Sequence, residues 1–215
     1  MAYYFPEGTR IYYSSTFASD KTVSAVTNAS PAACTSTSHG YSDDGIVLFT
    51  SGWEDATDTL FKVDQTDANT FSLLGLNSLN TTFFPSGSGT GTTSLLSTWV
   101  EMPQVLTINT SGGAPRFAPV EPLARRNPLS FWTGFEPVNM TVTMGHDPTN
   151  ATYLSMLDLS RVGTRLGFKI VGGSGGVTYA YGQMGVSESV RYQRGQANQV
   201  DVGITVFGRQ ISYSS

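Results

Sequence analysis

Two histidines, one cysteine and sixteen Asp or Glu residues are the imidazole, thiol and carboxylate groups on which this chain could base chemistry. His146 directly precedes Asp147, the order a general base and its orienting carboxylate would take. The same two residues stand just before a helix-like pattern, so Asp147 reads better as the helix N-cap and His146 as the end of a strand. His39, in Ser38-His-Gly-Tyr, sits where a turn is expected. Asp43-Asp44 and the group Glu54, Asp55 and Asp58 offer hard oxygens, yet neither follows the twelve-residue spacing of a calcium loop. Both read as solvated turns. Cys34 alone makes neither an intrachain disulfide nor a thiolate cage for zinc. No His-Glu-x-x-His occurs, and the glycine clusters at 87–91 and 172–176 lack the Gly-Lys-Ser/Thr ending of a phosphate loop. The residues point to no catalytic site, no cofactor and no metal.

Whatever scaffold carries these groups must be built mainly of strands and turns. The chain has 215 residues, with 52 Ser and Thr and 23 Gly, and only 13% of it is charged. Hydroxyl and β-branched residues favour strands, and glycines favour the turns between them. With 39% hydrophobic and 12% aromatic residues the chain can bury a core and is unlike a disordered segment or a coiled coil. A net charge of −4 argues against a surface that grips nucleic acid. No run approaches eighteen apolar residues, and Met1–Gly8 shows no basic stretch leading into an apolar one, so neither a membrane span nor export is expected.

Strand-like runs are expected at Thr22–Val26, Ile46–Phe49, Leu60–Val63, Thr70–Leu76, Val138–Met144, Leu166–Val171, Val177–Val186 and Val200–Ile211. Asn80–Thr93 reads as a low-complexity loop, with a domain junction near residues 90–98. Ser111–Phe131, with its four prolines, reads as a long loop without periodicity, and such a loop is normally functional. One helix is predicted: Asp147 as N-cap, Pro148 first in the helix, Tyr153, Leu154, Leu157 and Val162 on one stripe, and Gly163 as the stop. About ten strands and one helix make the class mainly β.

An ordered series in the second half carries more than composition. Trp99-Val-Glu-Met-Pro-Gln-Val-Leu-Thr-Ile leads into the proline-rich loop and Thr133-Gly-Phe-Glu. An alternating strand, Gly145-His-Asp-Pro148 and the helix ending Arg161-Val-Gly-Thr-Arg165 follow, and the chain closes on Gln199-Val-Asp-Val-Gly-Ile-Thr-Val-Phe-Gly-Arg-Gln-Ile. This series resembles the major tail, or tail tube, proteins of long-tailed bacteriophages (siphophages). The resemblance covers residues 99–215 and extends to the first twenty. It implies a β-sandwich or half-barrel flanked by one helix, built from residues 1–21 and 99–215. Residues 22–98 depart from the minimal pattern and look like a small all-β module inserted into it.

The resemblance also implies a structural virion protein made in the host bacterial cytoplasm. Its partners would be further copies of itself, in hexameric rings stacked into a hollow tail, together with the tape measure, tail terminator and distal tail proteins. DNA would pass through the lumen without specific binding. On that reading Arg116, Arg125 and Arg126 are candidates for contacts between rings. Glu101, Glu188 and Asp201 are candidates to line the lumen, since a conduit should not offer cations to phosphates. Residues 1–17 and 212–215 are expected to act as arms that order on assembly. The rival reading is a ligand- or carbohydrate-binding β module of a phage or surface appendage.

Overall fold

Short alternating runs closed off by glycine, Asx and proline turns produce seventeen strands and one helix. The computed structural model describes residues 7–173 and 175–214, and all structural statements concern these. The chain enters as β1 (Arg10–Ser14) and then builds β2 (Lys21–Val23), β3 (Ala25–Val26), β4 (Ala32–Thr35), β5 (Ile46–Ser51), β6 (Thr59–Gln65), β7 (Thr70–Leu74) and β8 (Gly91–Leu96). It continues through β9 (Val100–Glu101), β10 (Val105–Ser111), β11 (Pro115–Val120), β12 (Leu129–Phe135) and β13 (Asn139–Gly145). The helix α1 (Ala151–Val162) precedes β14 (Arg165–Val171), β15 (Val177–Val186), β16 (Gln199–Val206) and β17 (Ile211–Tyr213). The architecture is mainly β, as expected, with more and shorter strands than the sequence suggested.

The first sheet has the order β10-β13-β16-β15-β14-β1-β9, with β17 beside β15, and all its pairs are antiparallel. Its two ends are almost joined, because β9 and β10 are separated only by Met102-Pro103-Gln104. Met102 N–H donates to Ile11 O and Gly145 N–H donates to Gln104 O, both at 2.9 Å, so this short segment bridges β1 and β13. Inside lie Met140, Val142 and Met144 of β13, Val200, Val202 and Ile204 of β16, and Tyr153 and Met156 of α1. Alternation places one face of each strand in that core and the other outside.

The second sheet, order β2-β8-β5-β6-β7-β4-β3, closes by the same device. β2 pairs with β8 at one end and β3 with β4 at the other, and only Ser24 separates β2 from β3. One kinked strand therefore satisfies both edges, which removes the open edge that invites unwanted pairing. Phe49, Trp53, Phe61 and Phe71 fill the interior. The two sheets meet through Ile46, Leu48, Leu60 and Leu96 on one side and Tyr179 and Tyr181 on the other. Tyr213 pins the junction: its hydroxyl donates to Leu74 O at 2.7 Å and accepts from Lys62 N–H at 3.0 Å.

Four expectations change. The proline-rich stretch is a β-hairpin, β11–β12, because a strand without a further neighbour tolerates Pro115 and Pro119. The low-complexity run ends in a strand, with Gly91–Thr93 paired to β5 and β2. Of the expected arms, Arg10–Ser14 is a paired strand of the first sheet and Ile211–Tyr213 pairs with β15, while residues 1–6 and 215 lie outside the described residues. The helix begins later than predicted. Asn150 is its N-cap, accepting from Thr152 and Tyr153 N–H at 2.9 and 3.1 Å, whereas Asp147 bonds Thr149 in the preceding turn. Gly163 ends it in the left-handed conformation, as the sequence suggested, but Leu154 and Val162 face solvent and Met156 is buried.

Candidate assembly surfaces

The hairpin β11–β12 pairs with no other strand. Its register sets Phe117 opposite Trp132 and Ala118 opposite Phe131, with a shift beside Arg116. Trp132 rests edge-on against Phe135, ring centres 5.6 Å apart, so Phe117, Trp132 and Phe135 share one face. Phe131 and Val120 belong to the other. Phe117, Phe131, Trp132 and Phe135 are 58%, 54%, 51% and 63% exposed, and Leu123 at the tip is entirely so. A two-stranded ribbon is marginal in water, and both faces of this one carry large apolar side chains. Exposed apolar area on this scale marks an interaction surface.

Arg125 and Arg126 sit together in the tip between the strands, while Arg116 lies near the base opposite Gly134. None of the three forms an ion pair among the described residues. Sequence reasoning picked out these charges and missed the aromatics, whose signal was a cluster of large apolar residues between prolines with no polar alternation.

A second surface is the outward side of β10, β13 and β16. Thr107, Asn109 and Ser111 of β10 lie opposite Thr143, Thr141 and Asn139 of β13. These in turn lie opposite Asp201, Gly203 and Thr205 of β16. Across the next strand pair Gly203 faces Gly185. A Cβ on either glycine would come no closer than 3.9 Å to a neighbouring atom, so the fold of the single chain does not require glycine there. A shallow groove of about 470 Å³ runs over this floor to the C-terminal end of α1 at Gly163. These three strands carry no Lys and no Arg, and the one large apolar side chain they expose is Leu106, half-exposed at the bulge that opens β10.

The three candidate carboxylates each meet an arginine. Glu101, on β9, is 3.8 Å from Arg10. Glu188 turns toward α1 and accepts from Arg161 Nε at 2.8 Å. Asp201 accepts from the Arg191 guanidinium and, at 2.8 Å, from the Thr143 hydroxyl. Only Asp201 lies on the hydroxyl face of β10, β13 and β16, so the structure does not gather the three.

Most of the groups that first suggested chemistry are accounted for by their surroundings, while Glu54, Asp55 and Asp58 lie in the turn between β5 and β6. Asp147 bonds the hydroxyl and N–H of Thr149, which hold its carboxyl below the usual range, while His146 packs edge-on against Tyr153 at 5.4 Å. His39 is buried among Tyr41 and Phe71, accepting from Tyr41 N–H at 3.0 Å with its other ring nitrogen 2.9 Å from Asp67 O. Burial pushes the Cys34 thiol up to about 12, which leaves it unreactive. Asp44 pairs with Lys62 at 2.7 Å, and Asp43 accepts from Gln65 N–H. Gly172-Gly-Ser-Gly-Gly176 spells the pattern of a nucleophile elbow but joins β14 to β15, two antiparallel strands, instead of leading into a helix. No group of three or more metal-ligating side chains converges among the described residues.

Two barrel-like sheets, a hairpin that exposes aromatic side chains and a hydroxyl-rich sheet face with one paired carboxylate distinguish this chain. A protein-family model described as "Phage tail tube protein, TTP" matches residues 51–215. The chain belongs to that family, and it is a structural component of the virion's tail tube. The match begins at the last residue of β5 and so takes in β6, β7 and β8 of the second sheet as well as most of the first. No curated protein matches the chain. No helix among the described residues is long and apolar enough to cross a membrane.

Proposed function

We propose that six copies close into a ring, that rings stack into a hollow tube, and that the genome leaves the particle through its lumen. The observation that carries this reading is the hairpin. It buries neither face within its own chain, and a contact made by an arm on a different surface of the next copy is heterologous, so it propagates along an axis. Phe117, Trp132 and Phe135 supply the apolar area, and Arg116, Arg125 and Arg126 supply charge that carboxylates of the neighbour can meet. A propagating contact leaves unsatisfied surfaces at both ends, which suits capping by terminator and distal tail proteins, and the lumen would hold the tape measure before DNA. The subunit would be made in the host bacterial cytoplasm.

The second sheet, Lys21–Leu96, fits a module inserted between β1 and β9, because both its edges are satisfied internally and the first sheet is completed without it. Of the carboxylates expected at the lumen, Asp201 keeps its place on this reading, while Glu101 and Glu188 serve their arginines at other sites. The test replaces residues 115–135 by a two-residue turn. Circular dichroism and thermal melting should show both barrels folded, while negative-stain micrographs show no long tubes. Tubes of ordinary length from the shortened protein would refute the role of the arm.

A further inference from the structure

We infer that the outward face of β10, β13 and β16 is the wall along which duplex DNA slides, and that Arg191 and Asp201 cancel each other's charge to keep it neutral. The inference rests on the tube reading and says which surface of the subunit meets the cargo. The outward side of β17 and of the first part of β15 is unavailable, since Tyr179, Tyr181 and Tyr213 there pack against the second barrel. The opposite side is free, and its composition is unusual for a solvated surface, which ordinarily mixes both signs of charge over about a quarter to a third of its residues. Here β10, β13 and β16 present hydroxyls, amides and glycine, with Leu106 exposed only at the bulge at one end, and the single charged member is Asp201. It lacks the apolar core of a protein–protein contact and the lysines and arginines that bind phosphate.

Asp201 is held from two sides. Thr143 donates to Oδ1 at 2.8 Å, and Arg191 donates to Oδ2 from a backbone position fixed by its bridge to Gln199. Without the carboxylate, Arg191 would bring one free cation per subunit to the border of the wall, repeated along the whole tube. Individually weak phosphate contacts then add through multivalency. The Gly185–Gly203 pair fits the same requirement: the monomer has room for side chains at both positions and carries none, so nothing projects into the path.

Two measurements on assembled tubes test this. In the first, Thr205→Cys is treated with a small maleimide and with a maleimide fixed to beads wider than the tube; the native thiol, Cys34, is buried. Tubes should react with the small reagent and not with the beads, while dissociated subunits react with both. Protection from both reagents would make this face a contact between copies, and reaction with both would place it on the outside; either overturns the wall. Thr141→Cys repeats the measurement one strand away should the first variant misfold. In the second, tubes of the native protein, Asp201→Asn and Asp201→Asn/Arg191→Gln are sedimented with short duplex DNA at low salt. The single variant should retain roughly tenfold more DNA than the native tube, fading as salt rises, and the double variant should return to the native level. Equal retention by all three would overturn the charge-cancelling pair. Failure of the native protein to form tubes sinks the tube reading itself and the wall with it, whereas tubes with the wrong labelling pattern sink the wall alone.

Discussion

The second barrel and the hairpin use the same residues to opposite ends. Phe49, Trp53, Phe61 and Phe71 disappear into the barrel, whereas Phe117, Phe131, Trp132 and Phe135 stand in water. Both are antiparallel β-structure, so propensity does not separate them. Strand number does: seven strands can curl until one kinked segment stitches their edges together, and two cannot enclose anything. Their surroundings differ in charge as well. Residues 21–96 carry seven Asp or Glu against two Lys, an ordinary solvated acidic surface, while the face of β10, β13 and β16 keeps one charge and cancels it. One part of the molecule closes on itself, and the other leaves its large apolar side chains in water.

The largest expected effect separates these two fates. Phe71 is fully buried against Tyr41 and His39, so Phe71→Ala leaves a cavity that costs about 3–5 kcal/mol and lowers the melting temperature of the second barrel by roughly 20 °C. Trp132→Ala should change subunit stability by no more than about 0.5 kcal/mol while suppressing tube formation. Calorimetry and microscopy on the same two variants decide the matter. A destabilised subunit from Trp132→Ala, with Phe71→Ala silent, would invert the comparison.

A smaller effect is expected at the seam between the barrels. Tyr213→Phe removes the hydroxyl and leaves Lys62 N–H and Leu74 C=O without their partner, a cost of about 1–3 kcal/mol. Burial pushes this phenol up to about 12, and burial raises Tyr179 and Tyr181 in the same direction. The unfolded chain loses its phenolic protons first, near pH ~10, so these groups give their full contribution below that pH and lose it as the pH climbs toward about 12. Urea midpoints measured across that alkaline window should fall in the native protein and fall less in Tyr213→Phe. A flat profile would show that the phenols at the seam stay in contact with water.

What could be read in the sequence is what periodicity encodes. Val138–Met144 and Val200–Val206 alternate because each strand buries one face, and both are strands in the fold. Pro115–Val120 and Leu129–Phe135 do not alternate, because neither face is buried within the chain, and the usual strand signal presupposes one that is. β8 was hidden because its first residues continue a run of Ser, Thr and Gly. The stitching segments at Ser24 and Met102–Gln104 were illegible for another reason: each serves two edges, at least one of them far away in sequence, and nothing local marks such a strand. At the candidate surfaces the arginines were legible as types. Pairing of each candidate carboxylate with an arginine was not, since ten to almost a hundred residues separate the partners.

The smallest expected effect concerns α1 and is confined to the first barrel. Both Asp147 and Asn150 belong to the residue types that cap helices, and the nearby Pro148 favoured the earlier one. Geometry selects Asn150, whose side-chain Oδ1 accepts from the N–H groups of Thr152 and Tyr153, two of the donors a helix start leaves unpaired. Asn150→Ala should therefore cost about 1 kcal/mol. Asp147→Ala loses only bonds within an exposed turn and should leave the stability almost unchanged. The Asp147 carboxyl is depressed by its bonds to Thr149, so whatever it contributes is present above its unfolded pKa and lost as the pH falls through the folded one. The Asn150 contribution carries no charge and should survive acidification. Because Tyr153 and Met156 anchor α1 in the first core alone, hydrogen exchange in Asn150→Ala should quicken in the strands around that core and leave β2–β8 untouched. Equal quickening in both barrels would mean that the seam at Tyr213 transmits the loss and that the two barrels unfold as one.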